Sequence, residues 1–89
     1  MTFAVTKDPN ATLDYVVEWE HYLDSDTIDS VEWITPDGIT ADATSNTTTA
    51  ATAWLSGGTL GIRYDVVCRI TTVAGRVDDR TVRVAVVDK

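Results

Sequence analysis

Apolar and polar positions alternate along most of the chain. In Leu13 to Glu20 (LDYVVEWE), Tyr15, Val17 and Trp19 fall on one side, and Asp14, Val16, Glu18 and Glu20 on the other. That two-residue period predicts a half-buried strand with an acidic outside. Ile28 to Thr35 repeats it, with Val31 and Trp33 on one face and Ser30 and Glu32 on the other. The clearest strands are Tyr64 to Val73 and Thr81 to Val87. They are expected to form the last hairpin of a small sandwich, with the earlier strands packed against it. Thr2 to Thr6 predicts a short first strand. The Thr- and Ala-rich middle, Ile39 to Ala53, predicts two more near 40–46 and 48–55, joined by a tight turn at Ser45-Asn46. The expected architecture is all-β: an antiparallel β-sandwich of about seven short strands.

The interruptions carry turn chemistry. Lys7-Asp8-Pro9-Asn10 and Pro36-Asp37-Gly38 combine a fixed φ with residues that bond back to the chain or accept φ > 0. Ser56-Gly57-Gly58 reads as a further turn. His21 to Thr27 breaks the alternation. Tyr22 and Leu23 are expected to plug the sandwich end in a short 3₁₀ turn, leaving Asp24-Ser25-Asp26 as a solvated tip.

A last-hairpin turn centred near Gly75-Arg76 would place Val66 opposite Val86, Cys68 opposite Val84 and Ile70 opposite Val82, making one buried face with Tyr64. The outward face would then set Arg69 against Arg83, with Arg63 and Asp65 nearby. Like charges directly opposite are unfavourable, so an acidic neighbour is expected: Glu32 on the Trp33 strand, or another subunit.

Charge sharpens this picture. Of the 89 residues, 1–60 carry ten Asp/Glu and one base, Lys7, whereas 61–89 carry four acids and six bases; −9 and +2 sum to the net charge of −7. An acidic chain is a poor partner for nucleic acid. No apolar run is long enough to cross a membrane as a helix, and no secretion signal is expected from MTFAVTKDPN. The single cysteine, Cys68, excludes an internal disulfide.

Candidate chemistry is sparse. His21 is the only histidine, so neither a triad nor a multi-histidine metal site can be assembled. Cys68 reads as a buried structural thiol. Asp24, Asp26 and Asp29 fail the EF-hand pattern, because Asp29 stands where Gly is needed and Thr35 where Glu is needed. No catalytic residue, metal ligand or cofactor-binding residue is assigned, and no cofactor is expected. Trp19 and Trp33 read as core rings. Trp54 reads as either core or interface. The candidate partner-contact residues are therefore Arg63, Arg69, Arg83 and Trp54.

Four pieces stand in order along the chain: Leu13-Asp14-Tyr15 with Trp19; Asp26-Thr27-Ile28 with Trp33; Trp54 to Gly58 (WLSGG) with Tyr64; and Thr72 with Gly75-Arg76. With these, the chain from Lys7 to Lys89 resembles the phage fibre–tail adaptor family of tailed-phage virion proteins. The resemblance implies a single immunoglobulin-like domain over 1–89 with a non-enzymatic, many-copy role in the virion, made in the host cytoplasm. Its partners would be other virion proteins of tail, neck, fibre or capsid, with no nucleic acid and no membrane. Two alternatives stay open: a capsid decoration or cement protein, and a carbohydrate- or surface-binding module using Trp54. Cys68 stands four residues after Tyr64 rather than two, a departure from the immunoglobulin tyrosine-corner spacing.

Overall fold

The computed structural model describes residues 2–88; Met1 and Lys89, the ends of the expected domain, lie outside the described residues. Seven strands form: β1 (Thr2–Lys7), β2 (Leu13–Glu18), β3 (Ile28–Ile34), β4 (Ile39–Asn46), β5 (Ala50–Gly57), β6 (Arg63–Thr72) and β7 (Val77–Val86). One helical turn, α1 (Glu20–Leu23), lies between β2 and β3. Two sheets pack face to face, one ordered β1-β7-β6-β3 and the other β2-β5-β4. All pairings are antiparallel except β1 with β7, which is parallel.

The alternation explains the layering. Val66, Cys68 and Ile70 of β6 and Val82, Val84 and Val86 of β7 point inward and are buried, as expected. Facing them from the other sheet are Val17, Ala51, Ala53 and Leu55. Three short alanine or valine side chains leave room for Trp19, which is fully buried, and for Leu23 below it. The expected plug is thus real. It is a turn of α-helix rather than 3₁₀, closed by Leu23 N–H donating to the Trp19 carbonyl.

The register of the last hairpin differs from the expectation. Val66 faces Val82, Tyr64 faces Val84 and Cys68 faces Arg80. The loop is Val73-Ala74-Gly75, closed by Thr72 N–H donating to the Arg76 carbonyl. Gly75 takes the left-handed position at the loop's last residue (φ 94°), not its centre. The shift is even, so each side chain keeps its face while its partner changes. The β4–β5 turn also moves, to Thr47–Thr49. There the Thr47 hydroxyl accepts from the Thr49 and Ala50 N–H groups and builds the turn. Within this pair, a bulge at Asp42 shifts the register by one residue, between Ala41–Leu55 and Ala43–Trp54.

The two ends of the sandwich are held differently. At the α1 end, Arg76 lies over Tyr22, Tyr22 meets Trp19 edge-on, and Arg80 lies 4.2 Å over Trp19. At the other end, the Tyr64 hydroxyl accepts from Thr59 N–H at 2.9 Å, five residues upstream. Gly38 (φ 100°) packs flat on that ring, where a Cβ would sit 2.8 Å from it. Lys7 is not part of a turn. It ends β1 fully buried, and its ammonium donates to the carbonyls of Gly57 (2.7 Å) and Asp8 (2.8 Å). This links the edge of the four-stranded sheet to the central strand of the other.

Candidate functional site

The outward positions of β6 and β7 hold the arginines. Arg69 lies between buried Cys68 and Ile70, and Arg83 between buried Val82 and Val84, so both face solvent, as the parity predicted. They do not oppose each other. Arg69 stands across from Asp79 and Arg83 across from Asp65. Each pair forms a two-pronged contact: Arg69 Nε to Asp79 at 2.8 Å and Arg83 Nε to Asp65 at 2.9 Å, with the second nitrogens at 3.0 and 3.3 Å. These hydrogen bonds hold Asp79 and Asp65 below the usual carboxylate range. The expected neutraliser Glu32 is the strand partner of Arg69. It contributes only weakly to Arg69's raised pKa, behind Asp79. Arg63, across from Ala85, makes no ion pair among the described residues.

Trp54 stands on the opposite side of the molecule. Its neighbours Ala53 and Leu55 are fully buried, which turns Trp54 outward from the central strand of the three-stranded sheet, 43% exposed. Its cross-strand partners are Asp14 and Ala43. Val16, 54% exposed, and Glu18 continue the same face of β2. The structure therefore brings Arg63, Arg69 and Arg83 onto one face and separates Trp54 from them. A sugar platform made of coplanar rings would need a second aromatic beside Trp54, and neither cross-strand partner supplies it.

The Asp24-Ser25-Asp26 segment is not uniformly solvated. The Asp26 side chain is 10% exposed. It accepts from the backbone N–H groups of Thr27 and Ala74 and from Arg76. A hydrogen bond from the Thr72 side chain, with these others, pulls its pKa down to about 2. Asp26 is a staple between the β2–β3 bend and the last hairpin. Nothing in the local alternation marks it; the signal is that Asp26-Thr27 and Thr72 with Gly75-Arg76 both stand among the motif pieces that carry the family resemblance.

Cys68 is buried against Trp19, and burial pushes its thiol up to about 11. His21 is exposed on α1. A cleft of about 420 Å³ lies between the β5–β6 loop and the end of β7, lined by Gly61, Ile62, Arg63, Ala85, Val86 and Val87.

These features define a small seven-stranded β-sandwich with arginines on the outer face of one sheet and an exposed Trp54 on the outer face of the other. The chain belongs to the family described as Gp77, Podophage GP4 fiber-tail adaptor protein gp77, which matches it over residues 7–85. No curated protein matches the chain. The family makes the protein a structural component of the phage virion, in contact with tail and fibre proteins.

Proposed function

We propose that the protein is a non-enzymatic adaptor that joins fibre to tail by protein–protein contacts on two opposite faces of one sandwich. The observation that carries this reading is the separation of Trp54 from Arg63, Arg69 and Arg83 onto the outer faces of different sheets. A linker between two unlike bodies needs two unlike surfaces, and opposite sheet faces let both be occupied at once. Residues 1–89 act as one immunoglobulin-like unit. The orders β2-β5-β4 and β3-β6-β7, with β1 added beside β7, support that reading. Many copies arranged by the particle's symmetry would let modest contacts add up.

A cryo-EM map of the intact particle tests the proposal. Density for this chain between tail and fibre, with both faces covered, is expected. Density on the capsid shell would replace the adaptor role by decoration, and absence from the particle would overturn both.

A further inference from the structure

We infer that the outer face of the three-stranded sheet, centred on Trp54, docks a basic, arginine-bearing surface of a different virion protein, not a second copy of this chain. This rests on the adaptor reading and assigns one of its two faces a partner chemistry.

The charge of the face is one-sided. β2, β4 and β5 contain no Lys, Arg or His, while Asp14, Glu18 and Asp42 are all exposed. Asp14 stands directly across from Trp54, and Asp42 is the extra residue of the bulge beside Trp54's other partner, Ala43. The centre of the face is apolar: Trp54 and Val16, 43% and 54% exposed, rise among Ala43, Thr52 and Ala50. A large ring standing clear of short neighbours inside a polar rim is the form of an interface anchor.

The chain itself shows which group completes such a ring. Trp19 and Tyr22 each lie under a guanidinium, Arg80 at 4.2 Å and Arg76 at 4.9 Å. Trp54 has an equivalent ring face and a carboxylate, Asp14, beside it, but no guanidinium over it among the described residues. An incoming arginine could stack on the indole and pair with Asp14 together.

A second copy is a poor source of that arginine. Arg69, Arg83 and Arg76 are paired with Asp79, Asp65 and Asp26, Arg80 covers Trp19, and Lys7 is buried. Among the described residues this leaves Arg63 as the exposed, unpaired base. Two copies of the acidic face would also repel each other.

The test uses phage particles and the purified chain. Hydroxyl-radical footprinting compares oxidation of Trp54 in the free chain and in the particle. In parallel, a benzophenone photo-crosslinker replaces Ser45, which is exposed across from Thr52 on the same face. Trp54 should oxidise at least about tenfold more slowly in the particle, because an anchor is desolvated on docking. The crosslink should reach a Lys/Arg-bearing segment of another virion protein. Trp54→Ala and Asp14→Lys should each lower incorporation into particles about tenfold, a shift equivalent to about 1.4 kcal/mol, while the purified variants melt like the parent. Unchanged Trp54 oxidation in particles that contain the chain would overturn the inference and leave the adaptor role standing. So would a crosslink to a second copy or to an acidic segment. Absence of the chain from the particle would overturn the adaptor reading, and this inference with it.

Discussion

The two sheets present opposite solutions to the same problem of a solvent-facing surface. On the four-stranded sheet, the outward charges of β6 and β7 come as arginine–aspartate pairs set across from one another, Arg69 with Asp79 and Arg83 with Asp65. On the three-stranded sheet, outward Asp14 and Glu18 have no basic residue on any of the three strands, and the central residue is an exposed tryptophan. The first face is close to electrically closed; the second has both charge and apolar area left open. The arginine strip, conspicuous in the sequence, is therefore the less available of the two surfaces. Bringing a paired guanidinium into an interface means giving up or sharing an existing partner. Only Arg63 on that side avoids the problem among the described residues.

Neighbouring residues on β5 give the largest test of this contrast. Leu55 is fully buried and Trp54 is 43% exposed. Leu55→Ala should cost about 2–5 kcal/mol, the range for a buried leucine in a core that cannot fully collapse. In a sandwich core this small that is a large share of the stability. Trp54→Ala should change stability by less than about 1 kcal/mol, as surface substitutions generally do. Urea unfolding of both variants decides it. A Trp54→Ala variant as damaged as Leu55→Ala would mean that the ring is a packing element and that the open face is misassigned.

The next effect lies where the chain crosses from one sheet to the other. Asp26 ties the bend after β2 to the β6–β7 loop through Thr27, Ala74 and Arg76. Its carboxyl titrates near 2 in the folded protein, below the ordinary 3.8. A group with a depressed folded pKa stabilises fully above its unfolded value and loses that contribution as pH falls through the folded one. The stabilisation should thus be present above about pH 4 and vanish toward pH 2. Asp26→Asn should melt lower than the parent at neutral pH, and the two melting curves should converge by about pH 2. A constant gap across that range would show that the loss comes from packing rather than from the carboxylate.

The same crossing shows what the sequence could and could not reveal. Alternation located β2, β3, β6 and the second half of β7 and put Trp19, Val66, Cys68 and Ile70 inside, because a period of two depends only on the chain's own residues. Pairing depends on loop conformation, and nothing in Thr72 to Arg76 declared that Gly75 would close the loop instead of centring it. The expected Arg69–Arg83 repulsion followed from that error and disappears with the observed register. Lys7 looked like turn chemistry beside Pro9. Its burial depends on the Gly57 carbonyl, distant in sequence. Trp54 was undecidable from sequence because Ala53 and Leu55 are as apolar as it is. Yet the ordered motif pieces held spatial information: Leu13-Asp14-Tyr15 pairs with Leu55, Trp54 and Ala53 on β2–β5. Asp26-Thr27 likewise grips Ala74 and Arg76, and Val73 N–H donates to the Thr27 carbonyl.

A substitution at Asp24 should act in the opposite direction. Asp24 is the one non-glycine residue with positive φ among those described (φ 57°, ψ −110°), and Asp26 N–H donates to the Leu23 carbonyl across it. This is the first central position of a type II′ turn, which favours glycine. Asp24→Gly should therefore raise stability by about 0.5–1 kcal/mol, the released strain exceeding glycine's added chain entropy. Urea unfolding should show a higher midpoint at unchanged slope. A lower midpoint would mean that the Asp24 side chain holds the crossing in place.

Salt provides the smallest effect and the most direct reading of the two faces. Exposed charges are screened within about 8–10 Å at ordinary ionic strength. On the four-stranded sheet, screening weakens attractive pairs; on the three-stranded sheet, it relieves repulsion among Asp14, Glu18 and their acidic surroundings. With a net charge of −7, relief should win, and the melting temperature should rise by a few degrees between about 0.02 and 0.5 M NaCl. Asp14→Asn with Glu18→Gln should shrink that rise, because it removes part of the repulsion that salt screens. Asp65→Asn with Asp79→Asn should enlarge it, because it removes the attractive pairs whose weakening opposes the rise. If both double variants moved the salt response the same way, net charge alone would govern it. The distinction between a closed face and an open one would then have no electrostatic basis.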